Sequence, residues 1–277
     1  SSLIPVMTSL LEKKISAGEK EIILDYIRHN GSSNDVQVII NFIEKYRDDH
    51  ESGALLRKAF NTLKHIGAGN AETATYILSQ VRNNENVKLF YSAISSLSLI
   101  RKTEIYEELL KKNDDEISYH VFLSIYNLNR DIYKDETEED HAENRLYEGI
   151  AEKQMTPDEE LLLNIKVLLG KVTARFDSYS VKTKSAFINA MLSCNHRESV
   201  IYAMKALESR DEKLRRMVLY SIYSNITLIR FPEKLLRSLI SLNIEQDRDN
   251  ELIVQIFCRY FNVKEKSRTY TLFRDKM

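Results

Sequence analysis

The most reactive side chains in this chain are two cysteines and six histidines, and their spacing builds no reaction centre. Cys194-Asn195-His196 is the one place where a thiol and an imidazole lie close in sequence. A zinc site would need a second pair at ligand spacing, and none follows. His29, His50, His65, His120 and His141 are scattered, and no two stand at i, i+4 on one helix. No Gly-x-Ser-x-Gly elbow offers a nucleophile. Ile66-Gly67-Ala68-Gly69-Asn70 contains a Gly-x-Gly, but it lies between helical segments and lacks the third glycine of a phosphate loop. Residues 131–160 hold twelve acids (Asp131, Asp135, Glu136, Glu138, Glu139, Asp140, Glu143, Glu148, Glu152, Asp158, Glu159 and Glu160) against Lys134, Arg145 and Lys153. Their order lacks the glycine and ligand register of a calcium loop, so they read as a solvated loop and helix face. The expectation is no catalytic residue, no metal and no cofactor.

Recognition chemistry is better represented. The chain has 15 Tyr, 10 Phe and no Trp. Tyr91, Tyr119, Tyr126, Tyr220 and Tyr223 recur in similar helical text, and Arg57, Lys64 and Arg216 stand among them. Tyrosine presents a large apolar face with one polar tip, a combination favoured where proteins meet. These eight residues are the candidate binding set. The competing reading packs the rings between helices and lets the bases brace a neighbouring turn.

The elements that would position them are helices. Runs of 12–17 residues with apolar positions at i, i+3, i+4 and i+7 alternate with short polar breaks, and strict alternation is almost absent. The pattern predicts helices over 3–14, 19–29, 34–49, 54–66, 71–83, 86–100, 103–113, 116–128, 137–154, 157–173, 180–194, 197–208, 211–225, 232–242 and 248–262. Thr156-Pro157-Asp158-Glu159 reads as a capping box with proline at the first helical position. Asn70 reads as a helix cap, and Gly31 and Gly67 as left-handed residues just past helix ends. Similar text begins near residues 56, 87 and 117, about 30 residues apart, and again near 183 and 214. Such a period across helix pairs is the mark of a helical solenoid.

Leu56-Arg57-Lys58-Ala59-Phe60-Asn61-Thr62-Leu63-Lys64-His65-Ile66-Gly67 resembles the second helix of a HEAT repeat: an aliphatic residue, a base, small residues, then Leu and Ile-Gly. Leu214-Arg215-Arg216-Met217-Val218-Leu219-Tyr220-Ser221-Ile222 is similar, with Arg215-Arg216 in the basic slot. The resemblance covers residues 34–128 and 180–262. It departs from the HEAT/armadillo pattern in lacking the first-helix proline and the usual Asp before Leu56, and residues 129–179 break the period. The resemblance implies an all-α fold, an α-solenoid of antiparallel helix pairs wound as a HEAT-like superhelix. It implies one repeat domain over 1–277, irregular and acid-rich at 129–179, and a concave surface on the second helices that holds a partner.

Composition supports a helical reading. Seven Gly and three Pro are few, where average usage gives about 20 and 14. A formal net charge of −1 gives no global attraction to nucleic acid or anionic lipid. No stretch of 18 apolar residues offers a membrane span. Too few cysteines for a disulfide framework point to a reducing, cytoplasmic compartment. Residues 201–277 are mildly basic, with fifteen bases against ten acids. The leading functional expectation is a non-catalytic scaffold or adaptor for a protein partner. The second is a regulatory or sensory domain of a larger, membrane-tethered bacterial protein, suggested by the start at Ser1-Ser2 and the basic, aromatic tail. The third is a DNA glycosylase of the HEAT-like type, against which the near-neutral charge and missing Trp both argue.

Overall fold

The computed structural model describes residues 3–49, 53–83, 86–134, 155–229, 232–241 and 247–263. Among these it is all-α: fourteen α-helices, three short 3-10 segments and no strand. The helices pack as two compact units, Ser1–Arg101 and Lys102–Met277.

The first unit contains α1 (Ile4–Leu11), α2 (Ala17–Asn30), α3 (Val36–Tyr46), α4 (Gly53–Ile66), α5 (Ala71–Arg82) and α6 (Val87–Ser95). The starts of α2, α5 and α6 have a local cause. Ser16 accepts a bond from the Glu19 amide while the Glu19 carboxylate accepts from the Ser16 amide at 2.8 Å, which closes a capping box on α2. Asn70 accepts from the amides of Glu72 and Thr73 and caps α5, as its position in sequence predicts. Asn86 does the same for α6. The predicted helix over 86–100 stops early. Ser92, Ser95 and Ser96 each turn a hydroxyl back onto a carbonyl four residues upstream, which competes with the helical ladder, and Leu97–Leu99 continue as a 3-10 turn.

The two helix-end glycines are a correction. Gly31 is extended, with φ −78° and ψ 173°, and the one glycine at positive φ among the described residues is Gly69. What Gly31 and Gly67 provide is room. A Cβ on Gly67 would stand 2.2 Å from the Thr73 hydroxyl oxygen, and one on Gly31 would stand 2.6 Å from the Ile27 carbonyl oxygen. Left-handed positions are taken by Arg101, Asn113, Asn195 and Asn262. Three of the four are Asn, the residue that tolerates this region best after glycine.

In the first unit α1 packs on α2, α3 on α4 and α5 on α6, while α2, α4 and α6 pack side by side in that order. These three run parallel. The end of α2 at Gly31 meets the end of α4 at Ile66, and the start of α4 at Gly53 meets Lys88 near the start of α6. Leu24, Ile27, Leu56, Phe60 and Leu63 fill the seam. Thr62 Oγ1 stitches it by donating to the Leu24 carbonyl at 3.1 Å.

The second unit contains α7 (Thr103–Lys111), α8 (Asp115–Lys134), α9 (Pro157–Val172), α10 (Val181–Ser193), α11 (Ser199–Leu207), α12 (Glu212–Asn225), α13 (Glu233–Ser241) and α14 (Asp247–Tyr260). The Thr156 capping box is present, with Pro157 in the first turn of α9. Helix α8 runs six residues past its predicted end, because Leu128, Asn129 and Ile132 keep a buried stripe in register. The predicted helix over 137–154 lies outside the described residues.

Here α8, α10, α12 and α14 pack in sequence, α7 packs on α8 and α9, and α11 packs on α10, α12 and α13. The even-numbered row is again parallel. At one end Asp115 of α8 accepts from the Ser180 amide at 3.0 Å and the Thr183 hydroxyl at 3.1 Å beside the start of α10. Arg216 Nε, in the second turn of α12, donates to Asp249 at the start of α14 at 3.4 Å. At the other end Asn129 donates to Ser193 at 2.8 Å, and Asn225 donates to Asn189 at 2.7 Å. An aromatic cluster centres the unit: Phe187 lies 5.1 Å from Phe122, 5.8 Å from Phe176 and 5.6 Å from Tyr202.

Candidate functional site

The buried stripes define which side of each helix remains open. On α8 the buried set is Ile117, Ser118, Val121, Phe122, Ser124, Ile125, Leu128, Asn129 and Ile132. Tyr119, Leu123, Tyr126 and Arg130, at i, i+4, i+7 and i+11, fall opposite it. On α12, Arg216, Tyr220 and Tyr223 stand at i, i+4 and i+7 opposite Leu214, Val218, Leu219, Ile222 and Asn225. In the first unit Arg57 and Lys64 occupy the corresponding side of α4, and Tyr91 that of α6. All eight candidates therefore lie on the solvent side of the parallel-row helices. Five of them, Tyr119, Tyr126, Arg216, Tyr220 and Tyr223, belong to the second unit.

Their degree of openness differs. Arg57 is exposed, and Lys64 and Tyr91 are half-buried. Tyr220 is 56 % exposed. It borders an open hollow of about 430 Å3 with Asp211, Glu212, Lys213, Arg216 and Met217. A second hollow of about 430 Å3 is lined by Ile40, Ala71, Glu72, Thr75, Tyr76 and Ser79 of α3 and α5, away from every candidate.

The remaining tyrosines carry cations that the spacing of tyrosines did not reveal. Lys182 Nζ stands 5.0 Å from the Tyr119 ring centre. The Arg130 guanidinium lies 5.7 Å from the ring of Tyr126, with Nη1 donating to its hydroxyl at 3.4 Å. The Arg259 guanidinium sits 4.7 Å from the ring of Tyr223. Each places positive charge over the negative face of a ring. The Arg130 contact was open to sequence reasoning as an i, i+4 pair. Lys182 and Arg259 arrive from the next helix of the row.

Electrostatic anchors frame this surface. Lys182 is bonded to Glu116, and that contact first, then the Glu116 charge, raises its pKa. Burial pushes the Asp115 carboxyl up, but the bonds from Ser180 and Thr183 outweigh it and hold the group below its ordinary value. Arg216 reaches Glu212 at 2.8 Å as well as Asp249, and Arg215 Nε stands 3.8 Å from the other Asp249 oxygen. Asp249 is fully buried, and the two guanidiniums flank it.

The Cys194–His196 pair is interior. Burial pushes the Cys194 thiol up to about 12, which keeps it protonated and unreactive at neutral pH. His196 Nδ1 accepts from the Glu198 amide at 3.2 Å, and burial lowers the ring's pKa. Among the described residues no three His, Cys, Asp or Glu side chains gather as a metal site, and no helix is long and apolar enough to cross a membrane. What the arrangement offers chemically is contact: ring edges, hydroxyls and guanidiniums along adjacent helices. No family model matches the chain, and no curated protein is significantly similar to it.

Proposed function

We propose that this chain is a helical-repeat binding scaffold, a HEAT-like solenoid of antiparallel pairs that holds a protein partner on its parallel-row helices and does not transform it. What supports the repeat reading is that parallel helices recur within each unit, each laid against its predecessor, with starts 31–36 residues apart except between α8 and α10, which start 66 apart. Stability in such a chain comes from neighbour-to-neighbour burial, which frees the solvent side for recognition. The observation that carries the binding reading is that tyrosines and an arginine recur on the solvent side of both α8 and α12, with Tyr220 open beside a hollow. Solitary exposed rings are ordinary, whereas the same face recurring on two helices of one parallel row, α8 and α12 with α10 between them, offers a spaced recognition surface.

The test is affinity capture from the source cell extract with the wild-type chain and with a Tyr126→Ala, Tyr220→Ala variant, helicity being compared by circular dichroism. The expected result is a partner retained by the first and lost by the second at equal helicity. Identical capture by both would reject that face as the binding surface.

A further inference from the structure

Resting on that reading, we infer that the partner engages the second unit through an acidic, extended segment that bridges Arg130 and Arg259. Both guanidiniums are exposed, and neither has a carboxylate partner among the described residues. Their contacts are with Tyr126 and Tyr223. The acids on the same faces, Glu116 and Glu212, are engaged at the opposite ends of α8 and α12 by Lys182, His120 and Arg216. Among the described residues, the ends of the row that carry Asn129, Ser193 and Asn225 therefore hold two cations without a carboxylate partner, beside the hydroxyls of Tyr126 and Tyr223.

An incoming cation finds the faces of Tyr126 and Tyr223 already taken by a guanidinium. An incoming carboxylate finds two forks with free N–H groups, held in place by their own rings, and can gain charge-assisted bonds without displacing anything. The parallel row sets the length. Arg130 stands on α8 and Arg259 on α14, three interhelical steps apart, so about 25–30 Å separates them, a span of about eight or nine extended residues.

The experiment uses the intact chain and fluorescence anisotropy with labelled oligoglutamates of about ten and about four residues, an oligolysine and a single-stranded oligonucleotide of matched length. At low salt the longer oligoglutamate is expected to bind, and to weaken as salt rises. Arg130→Gln and Arg259→Gln should each weaken it about fivefold, and together about twenty-five-fold. The shorter oligoglutamate cannot bridge, so it should bind more weakly and lose less than twofold with either single change. Arg130→Lys and Arg259→Lys, which keep the charge but lose the fork, should bind more tightly than the glutamine variants and less tightly than the wild type, a ranking that a mere loss of helicity in a glutamine variant would not produce. No binding at low salt, unchanged affinity in both glutamine variants, or tighter binding of the oligonucleotide than of the peptide would each overturn the inference. If the peptide fails while Tyr126→Ala, Tyr220→Ala still abolishes partner capture, the acidic segment is wrong and the scaffold reading stands.

Discussion

At the scale of single residues, the cost of a substitution is set by what surrounds the side chain. Gly67 and Gly18 show how context sets the sign of one substitution. A Cβ at Gly67 would meet the Thr73 hydroxyl at 2.2 Å and the Leu63 carbonyl at 2.7 Å, whereas nothing lies within 4 Å of one at Gly18, in the first turn of α2. Gly67→Ala should cost about 1–3 kcal/mol in urea unfolding. Gly18→Ala should stabilise by about 0.5 kcal/mol. His196 supplies a pH dependence. Its folded pKa is below the unfolded value of about 6.5, so its contribution is complete above that pH and is lost as pH falls toward the folded value. Melting temperature should therefore drop on acidification from neutral pH, and His196→Gln should flatten that drop. An equal slope in both proteins would assign it to the carboxylates. Whether the eight candidates face solvent or pack between helices was left open by their similar text, though their helical setting was legible. The cations over Tyr119 and Tyr223 were not, because Lys182 and Arg259 come from helices whose neighbours only the fold determines. The buried Asp249 was likewise illegible, since nothing local marks it as enclosed by two arginines.

At the scale of elements, polar starts and apolar stripes account for most of the helices. Thr156 illustrates a signal that is local in both sequence and structure. Its hydroxyl accepts from the Glu159 amide at 3.2 Å, and the Glu159 carboxylate accepts from the Thr156 amide at 2.7 Å. Thr156→Ala should cost about 1 kcal/mol, read as a lower midpoint at unchanged slope. Helix α8 and the serine-rich end of α6 show where local signals fall short. Burial against α10 carries α8 beyond its expected stop, whereas serine back-bonds cut α6 short of its own. The seams between elements are the costly places. Phe187 is fully buried among Phe122, Phe176, Tyr179 and Tyr202, so Phe187→Ala should cost about 3–5 kcal/mol. Asn225 is buried and donates to both Asn189 and the Ser221 carbonyl, so Asn225→Ala should cost about 1–3 kcal/mol through the partners it leaves unpaired.

At the scale of the whole molecule, the proposed stacking of repeats predicts graded stability. A helix flanked on both sides in its row, such as α4 or α10, is held by two interfaces, while α1 and α14 have fewer. Native-state hydrogen exchange should show strongest protection in α4 and α10 and weakest in α1 and α14; uniform protection would speak for one cooperative globule instead. The all-helical class was legible in the low glycine and proline content and in the apolar period. The parallel arrangement was only implied by the repeat spacing, because contacts such as Asn129 with Ser193 join residues far apart in the chain. The central claim is that the solvent side of the parallel row, and not the other exposed apolar positions, holds the partner. A photo-crosslinking residue placed in turn at Tyr126, Tyr220, Leu163 and Val167 compares the two surfaces directly, since Leu163 and Val167 are exposed on α9, outside that row. The account predicts crosslinks to a common partner from Tyr126 and Tyr220 and none from Leu163 or Val167. Crosslinks from α9 alone would contradict it.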